Sequence, residues 1–164
     1  MGIALARANK ALCITIHDST KLEEQADTKI PDGLKDRVHF IAHDFFDAQP
    51  ASSKDADLYL LRHILHDWSE RECVQILRAL TSTMKEGARI LVAEQILAPI
   101  GNLPNHTEKI MRALDMQMMV QFGSKERTLE DFGALFELAD PRLRIVDLKA
   151  PSGSADTFME LMLL

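Results

Sequence analysis

The sequence predicts an α/β fold with a mostly parallel sheet, and three observations carry that prediction. Short apolar runs rich in β-branched residues alternate with segments of helical periodicity along the chain. Residues Tyr59 to Glu72, YLLRHILHDWSERE, run an apolar strand into a cluster of Arg62, His63, His66, Asp67 and Trp68, and then directly into a helix start. Acidic residues recur just past successive strand ends: Asp18, Asp44, Asp67 beside His66, and Glu94. Open parallel sheets bind ligands along that carboxyl edge.

Each element has its own signal. Ile3 to Lys10 reads as the end of a short helix, and Leu12 to Ile16 as a buried strand closing on His17-Asp18. Leu22 to Ala26 is a short helix, and Pro31-Asp32-Gly33 a turn. Val38 to Ala42 is a strand followed by the mixed segment His43-Asp44-Phe45-Phe46-Asp47. Ala56 to Ile64 is the strand that leads to His66. Ser69 with Glu72 forms a capping box, and Cys73, Ile76, Leu77 and Leu80 then recur at helical spacing, so Glu70 to Met84 is a helix with Gly87 as its left-handed cap. Ala88 to Leu97 is the most strand-like run. A loop from Pro99 to Asn105 leads to a helix from Glu108 to about Gln121. Another helix starts at Thr128, with Asp131 in the capping position and Leu129, Phe132, Leu135 and Phe136 on one face, and Pro141 stops it. Arg144 to Lys149 and Thr157 to Leu163 complete the strands. Without repeats or a linker, the 164 residues read as one domain.

Composition narrows the function. Hydrophobic residues at 46% and charged ones at 27% are those of a soluble globular protein. A net charge of −6 without runs of Lys or Arg argues against a nucleic-acid partner. No apolar stretch is long enough to span a membrane, and the start MGIALARANKALCITI lacks the pattern of a signal peptide. The two cysteines, Cys13 and Cys73, fit a reducing compartment, so a cytoplasmic location is expected.

The chemistry-bearing residues leave alternatives. Asp18 is placed to accept two hydrogen bonds from a ribose diol, or to cap the helix that begins near Ser19. His66 is either a satisfied structural histidine or a general base, with Glu94 or Glu126 orienting its ring and stabilising its charged form. Asp67 shares that role or caps the next helix. His63 with His66, and His39 with His43, have helix- and strand-compatible spacings for a metal. No cysteine pair or third ligand completes a zinc pattern, so no metal is expected. Met111, Met116, Met118 and Met119 on one helix are core filler or an adaptable lining for a flat aromatic ligand. Gly123-Ser124-Lys125-Glu126-Arg127-Thr128 is a polar loop with no functional signal of its own.

Taken together, the strings HDFFDAQPASSKDADLYLLRHILHDWSERE, ILVAEQIL, MRALDMQMMVQFGSKERT and ADPRLRIVDL resemble the S-adenosylmethionine-dependent O-methyltransferases of plants and fungi, in that family's order and spacing. The flavour is that of fungal secondary-metabolite enzymes. The resemblance implies a class I methyltransferase fold, a Rossmann-like sheet with flanking helices. It implies S-adenosylmethionine as cofactor and a phenolic small molecule as acceptor. It matches His66 to the catalytic base and Glu94 and Glu126 to its flanking acids. It matches Asp18 to the ribose-binding acid, Asp44 and Phe45 to the adenine-holding pair, and Arg62 to a basic position near the donor. Met111, Asp115, Met118 and Met119 fall on the helix that walls the acceptor pocket.

Two departures from the family pattern shape the expectation. The chain reads as a partial C-terminal catalytic domain over residues 1–164, without the family's N-terminal dimerisation domain. It also lacks the family's glycine-rich loop and the first, central strand that precedes it. The strands ending at Asp18 and Arg62 would then flank a slot of unpaired backbone groups, costly when buried. Either they come together, or a partner chain fills the incomplete sheet, or the domain is poorly stable. The leading expectation is an O-methyltransferase truncated at its N-terminus. The alternatives are an inactive pseudo-methyltransferase that serves as a binding or interaction module, and a cyclase-like relative.

Overall fold

A computed structural model describes residues 1–164, the side chain of Asp27 excepted. The chain divides into two compact units, Met1–Ser53 and Lys54–Leu164. No helix among the described residues is long and apolar enough to cross a membrane.

The first unit is built from α1 (Gly2–Ala8), β1 (Ile14–Asp18), α2 (Glu23–Lys29) and β2 (Val38–Ala42). β1 and β2 pair in parallel, from Ile14 opposite Val38 to Asp18 opposite Ala42. Parallel neighbours need a crossover, and α2 supplies it. Ala6, Ile30, Leu34 and Val38 form the core, with Ile3, Ile14, Ile16 and Phe40 packed against them. Gly2 permits the close approach of α1 to β1, since a Cβ there would lie 3.0 Å from Ile16 Cδ1. Arg37 closes the other end of α1, its guanidinium donating to the carbonyls of Ala6 at 3.2 Å, Leu12 at 3.1 Å and Asn9 at 3.4 Å. The Ala6 carbonyl is one that the end of α1 leaves without a helical partner, and the other two belong to the loop that follows.

The second unit comprises β3 (Leu58–Arg62), α3 (Glu70–Thr81), β4 (Arg89–Glu94), α4 (Asn105–Phe122), α5 (Leu129–Ala139), β5 (Leu143–Lys149) and β6 (Thr157–Leu163). Its sheet has the order β3-β4-β6-β5. Ile90, Val92, Ala93, Met159 and Leu161 are fully buried on β4 and β6 and form the centre of this unit with Leu65, Ile76, Leu77 and Phe132.

Most boundaries follow the sequence signals, and the exceptions have physical reasons. β3 and β4 are parallel, but β6 runs antiparallel to both β4 and β5, so the sheet is mixed rather than mostly parallel. A short connection turning on Gly153, at φ +79°, joins β5 to β6 and is too short for a parallel crossover. The capping box of α3 forms: Glu72 Oε2 accepts from the Ser69 N–H at 3.1 Å and its hydroxyl at 2.6 Å. That helix ends at Thr81, however, and Gly87, at φ +78°, serves the turn into β4 instead of capping it. α4 begins at Asn105 rather than Glu108, directly after Pro104, and the left-handed Gly123 ends it. Thr128 is the N-cap of α5, and Asp131 answers it from the third helical position.

Candidate active site

The site lies where β3 ends. The chain leaves β3 through His63, whose φ of +51° is the only left-handed value at a non-glycine among the described residues. That conformation costs about 1–2 kcal/mol. Three contacts hold it: the His63 N–H donates to the Ala93 carbonyl at 3.1 Å, and Asp156 meets both His63 Nε2, at 2.8 Å, and the Arg62 guanidinium, at 3.1 Å. Burial opposes it, but the His63 and Arg62 contacts together hold the Asp156 carboxyl below its ordinary value. After His63 the backbone enters a single 3-10 turn, Leu65–Asp67, which presents His66.

Two buried carboxylates meet the His66 ring on one side. Its Nδ1 lies 3.3 Å from Glu126 Oε1 and 3.8 Å from Glu94 Oε2, while Nε2 lies 3.4 Å from Asp67 Oδ1. The ring also stands edge-on to His63, centroids 5.3 Å apart. Glu94, at the end of β4, is fully buried. Its Oε1 accepts the backbone N–H groups of Ile64 at 2.9 Å and Leu65 at 2.8 Å, so it holds the turn as well as the ring. Oε2 of Glu94 and Oε2 of Glu126 have no hydrogen-bond partner among the described residues.

The electrostatics follow from that placement. The hydrogen bond to Glu126 raises the His66 pKa above its ordinary value; burial opposes the rise, and the charges of Glu94, Glu126 and Asp67 reinforce it. Burial pushes the Glu94 carboxyl up, against the pull of His66 and of the two backbone N–H groups. An imidazole that bonds a carboxylate through Nδ1–H keeps its lone pair on Nε2.

A second layer fixes the turn. The guanidinium of Arg127, 2% exposed, donates to the carbonyls of Leu65 at 2.6 Å and Trp68 at 3.0 Å. The Ser124 hydroxyl adds a bond to the Trp68 carbonyl at 2.8 Å, and the Cys73 thiol one to Leu65 at 3.1 Å. Burial raises that thiol to about 11. Asp115, on α4, accepts the Glu126 N–H at 2.9 Å. No spacing in the sequence marks Arg127, Ser124 or Asp156; each acts through a partner more than 50 residues away.

The other predicted residues fall in several places. α4 packs against the turn that bears His66. Met111, Asp115 and Met118 share one face of it by helical spacing, with Met118 buried and Met119, at the edge of that face, 59% exposed. Arg62 commits Nε and Nη2 to Asp156. In the first unit, Asp18 is exposed as the last residue of β1, and Asp44 is exposed just past the end of β2. Each gives one oxygen to its own loop, Asp18 to the Ser19 N–H at 2.7 Å and Asp44 to the Phe46 N–H at 3.0 Å. The His43 N–H donates to the Asp18 carbonyl at 2.9 Å, tying the two loops together. Phe45 is half-buried, edge-on to Phe46.

The α/β architecture of the chain is that of the class I methyltransferase fold. Solved structures agree. The mitomycin 7-O-methyltransferase MmcR is 28% identical with a TM-score of 0.82 over 98% of this chain and 44% of that one. NcsB1, an O-methyltransferase from neocarzinostatin biosynthesis solved with S-adenosyl-L-homocysteine and 1,4-dihydroxy-2-naphthoic acid, is 28% identical with a TM-score of 0.81 over 98% and 45%. The O-methyltransferase aoiO of Aspergillus oryzae is 55% identical over 98% of this chain and 40% of its own length. The O-methyltransferase domain model matches residues 4–140. The chain belongs to the O-methyltransferase domain family. It spans about two fifths of the length of relatives such as aoiO, of which it covers 40%.

Proposed function

We propose that these residues form part of the catalytic domain of an S-adenosylmethionine-dependent O-methyltransferase that methylates a phenolic hydroxyl of a small aromatic secondary metabolite. The observation that carries this reading is the His66 ring, with Nδ1 facing Glu126 at 3.3 Å and Glu94 at 3.8 Å. When bound, S-adenosylmethionine supplies an electrophilic methyl group on a sulfonium. Asp18 and Asp44 suit its nucleoside, because each carboxylate spends one oxygen locally and keeps capacity to accept hydroxyl or amine hydrogens. Phe45 offers an apolar surface beside them.

His66 takes the acceptor proton at Nε2. A phenol titrates near 10 if tyrosine is the guide, so an imidazole raised above its ordinary 6.5 draws closer to its proton affinity. Glu126 and Glu94 stabilise the imidazolium that results, and their burial keeps water from weakening that interaction. The same reading keeps a place for a partner strand, since β1 and β3 each lie at the edge of a sheet. The support for a phenolic acceptor is the match to NcsB1, whose structure holds a dihydroxynaphthoic acid.

Calorimetry with S-adenosylmethionine and S-adenosylhomocysteine tests the proposal on protein shown to be folded by circular dichroism. Saturable heat supports it. Absence of heat overturns it in favour of a non-catalytic interaction module. His66→Gln should lower turnover by about 10²–10⁴-fold while donor affinity stays the same.

A further inference from the structure

We propose that Arg127 is a positioning residue for His66, its guanidinium clamping both ends of the turn that carries the imidazole. The inference rests on the proposed role of His66 and extends the site beyond its three acids. The clamp is visible in the bonding. Nη1 holds the Leu65 carbonyl, which belongs to the peptide unit leading into His66, and Nη2 holds the Trp68 carbonyl beyond Asp67. The N–H of Leu65 is held at the same time by Glu94 Oε1. Both peptide units of Leu65 are therefore fixed by buried charged groups, one from each side.

A buried guanidinium needs a reason. Nη1 and Nη2 each donate to a backbone carbonyl, and among the described residues neither bonds a carboxylate, although Glu94 and Glu126 lie in the same site. Its charge is thus spent on backbone geometry. The fork of an arginine spans two carbonyls at once, which the single ammonium of a lysine does not. The Arg127 backbone is itself anchored: its carbonyl accepts the Leu97 N–H at 2.9 Å, and it bridges in parallel to Ile96, just past Glu94. This one anchor sets Glu126 and Arg127 together, the first toward the ring and the second toward the backbone that carries it.

Arg127→Lys in the full chain tests the proposal without any methyl donor, with Arg127→Met as the stronger version. Two quantities are read by NMR on each folded variant: the titration midpoint of His66, and hydrogen exchange of the Ile64 and Leu65 amides. Loss of one charge-assisted bond should speed exchange at Ile64 and Leu65 about tenfold or more, while the amides of β4 keep their protection. The His66 midpoint should fall toward its ordinary value as the ring drifts from Glu126, further in Arg127→Met than in Arg127→Lys. Unchanged midpoint and exchange in a folded variant would overturn the clamp. So would failure of both variants to fold, which would assign Arg127 to the fold alone. Absence of donor heat in the unmodified chain would remove the methyltransferase reading and leave these two measurements standing.

Discussion

Asp115 Oδ1 accepts the backbone N–H of Glu126 at 2.9 Å, tying helix α4 to the residue whose carboxylate meets His66. The Glu126 residue is 6% exposed, so its N–H has little access to water as a substitute partner. Asp115→Leu should orphan that group and cost about 1–3 kcal/mol, read as a shift in the urea midpoint. Asp115→Asn keeps a carbonyl oxygen for the same bond and should cost much less. Equal losses in the two variants would show that the charge of Asp115, and not its acceptor oxygen, is what Glu126 requires.

The raised proton affinity of His66 has a consequence for stability. A group whose pKa rises on folding binds its proton more tightly in the folded state, so its contribution is complete below about 6.5 and is lost as pH rises through the raised value. Glu94, also raised, acts in the same direction from its ordinary 4.5 upward. The stability gap between the unmodified chain and His66→Gln should therefore be widest near pH 6 and narrow toward pH 9. Urea melts at those two values measure it. A gap that widens with pH would mean that His66 is held neutral in the folded state.

Much of this site was legible in local sequence and much was not. The strand bounds Val38–Ala42 and Thr157–Leu163 follow directly from β-branched and apolar runs. The capping box at Ser69 and Glu72 announces α3, and with it the end of the turn that bears His66. These are short-range signals, set by neighbours along the chain. The clamp residues are long-range: Asp156 reaches His63 across 93 residues, and Arg127 reaches Leu65 across 62. Nothing local distinguishes them from solvated surface charges. The antiparallel course of β6 has a different cause: the alternation of its own residues suits either direction, and the short connection at Gly153 decides it.

The two cysteines should differ sharply in reactivity. Cys13 is exposed, whereas Cys73 is fully buried, donates its S–H to the Leu65 carbonyl, and has its thiol raised to about 11. Only the thiolate reacts with alkylating agents, so at pH 8 Cys73 is both inaccessible and protonated. Iodoacetamide should modify one thiol of the folded chain and two in denaturant, with Cys13 identified by mass spectrometry. Fast modification of Cys73 in native buffer would show that the turn around Leu65 opens readily.

Glu94 divides its two oxygens between fold and chemistry, and two substitutions separate those duties. Oε1 satisfies two backbone N–H groups, and Oε2 faces His66 Nδ1. Glu94→Ala leaves both N–H groups without an acceptor and should destabilise the chain by about 1–3 kcal/mol for each. Glu94→Gln keeps an oxygen for them and removes a carboxylate whose ionised form is disfavoured by burial. It should therefore be close to neutral for stability at pH 8. The same change puts an amide N–H₂ opposite Nδ1 and removes a charge that raises His66. The His66 midpoint should fall, and turnover in the methyl-transfer assay should drop by about 10²-fold or more. Stability loss in Glu94→Gln equal to that in Glu94→Ala would show that the folded state depends on the charge itself, and the division of duties would be wrong.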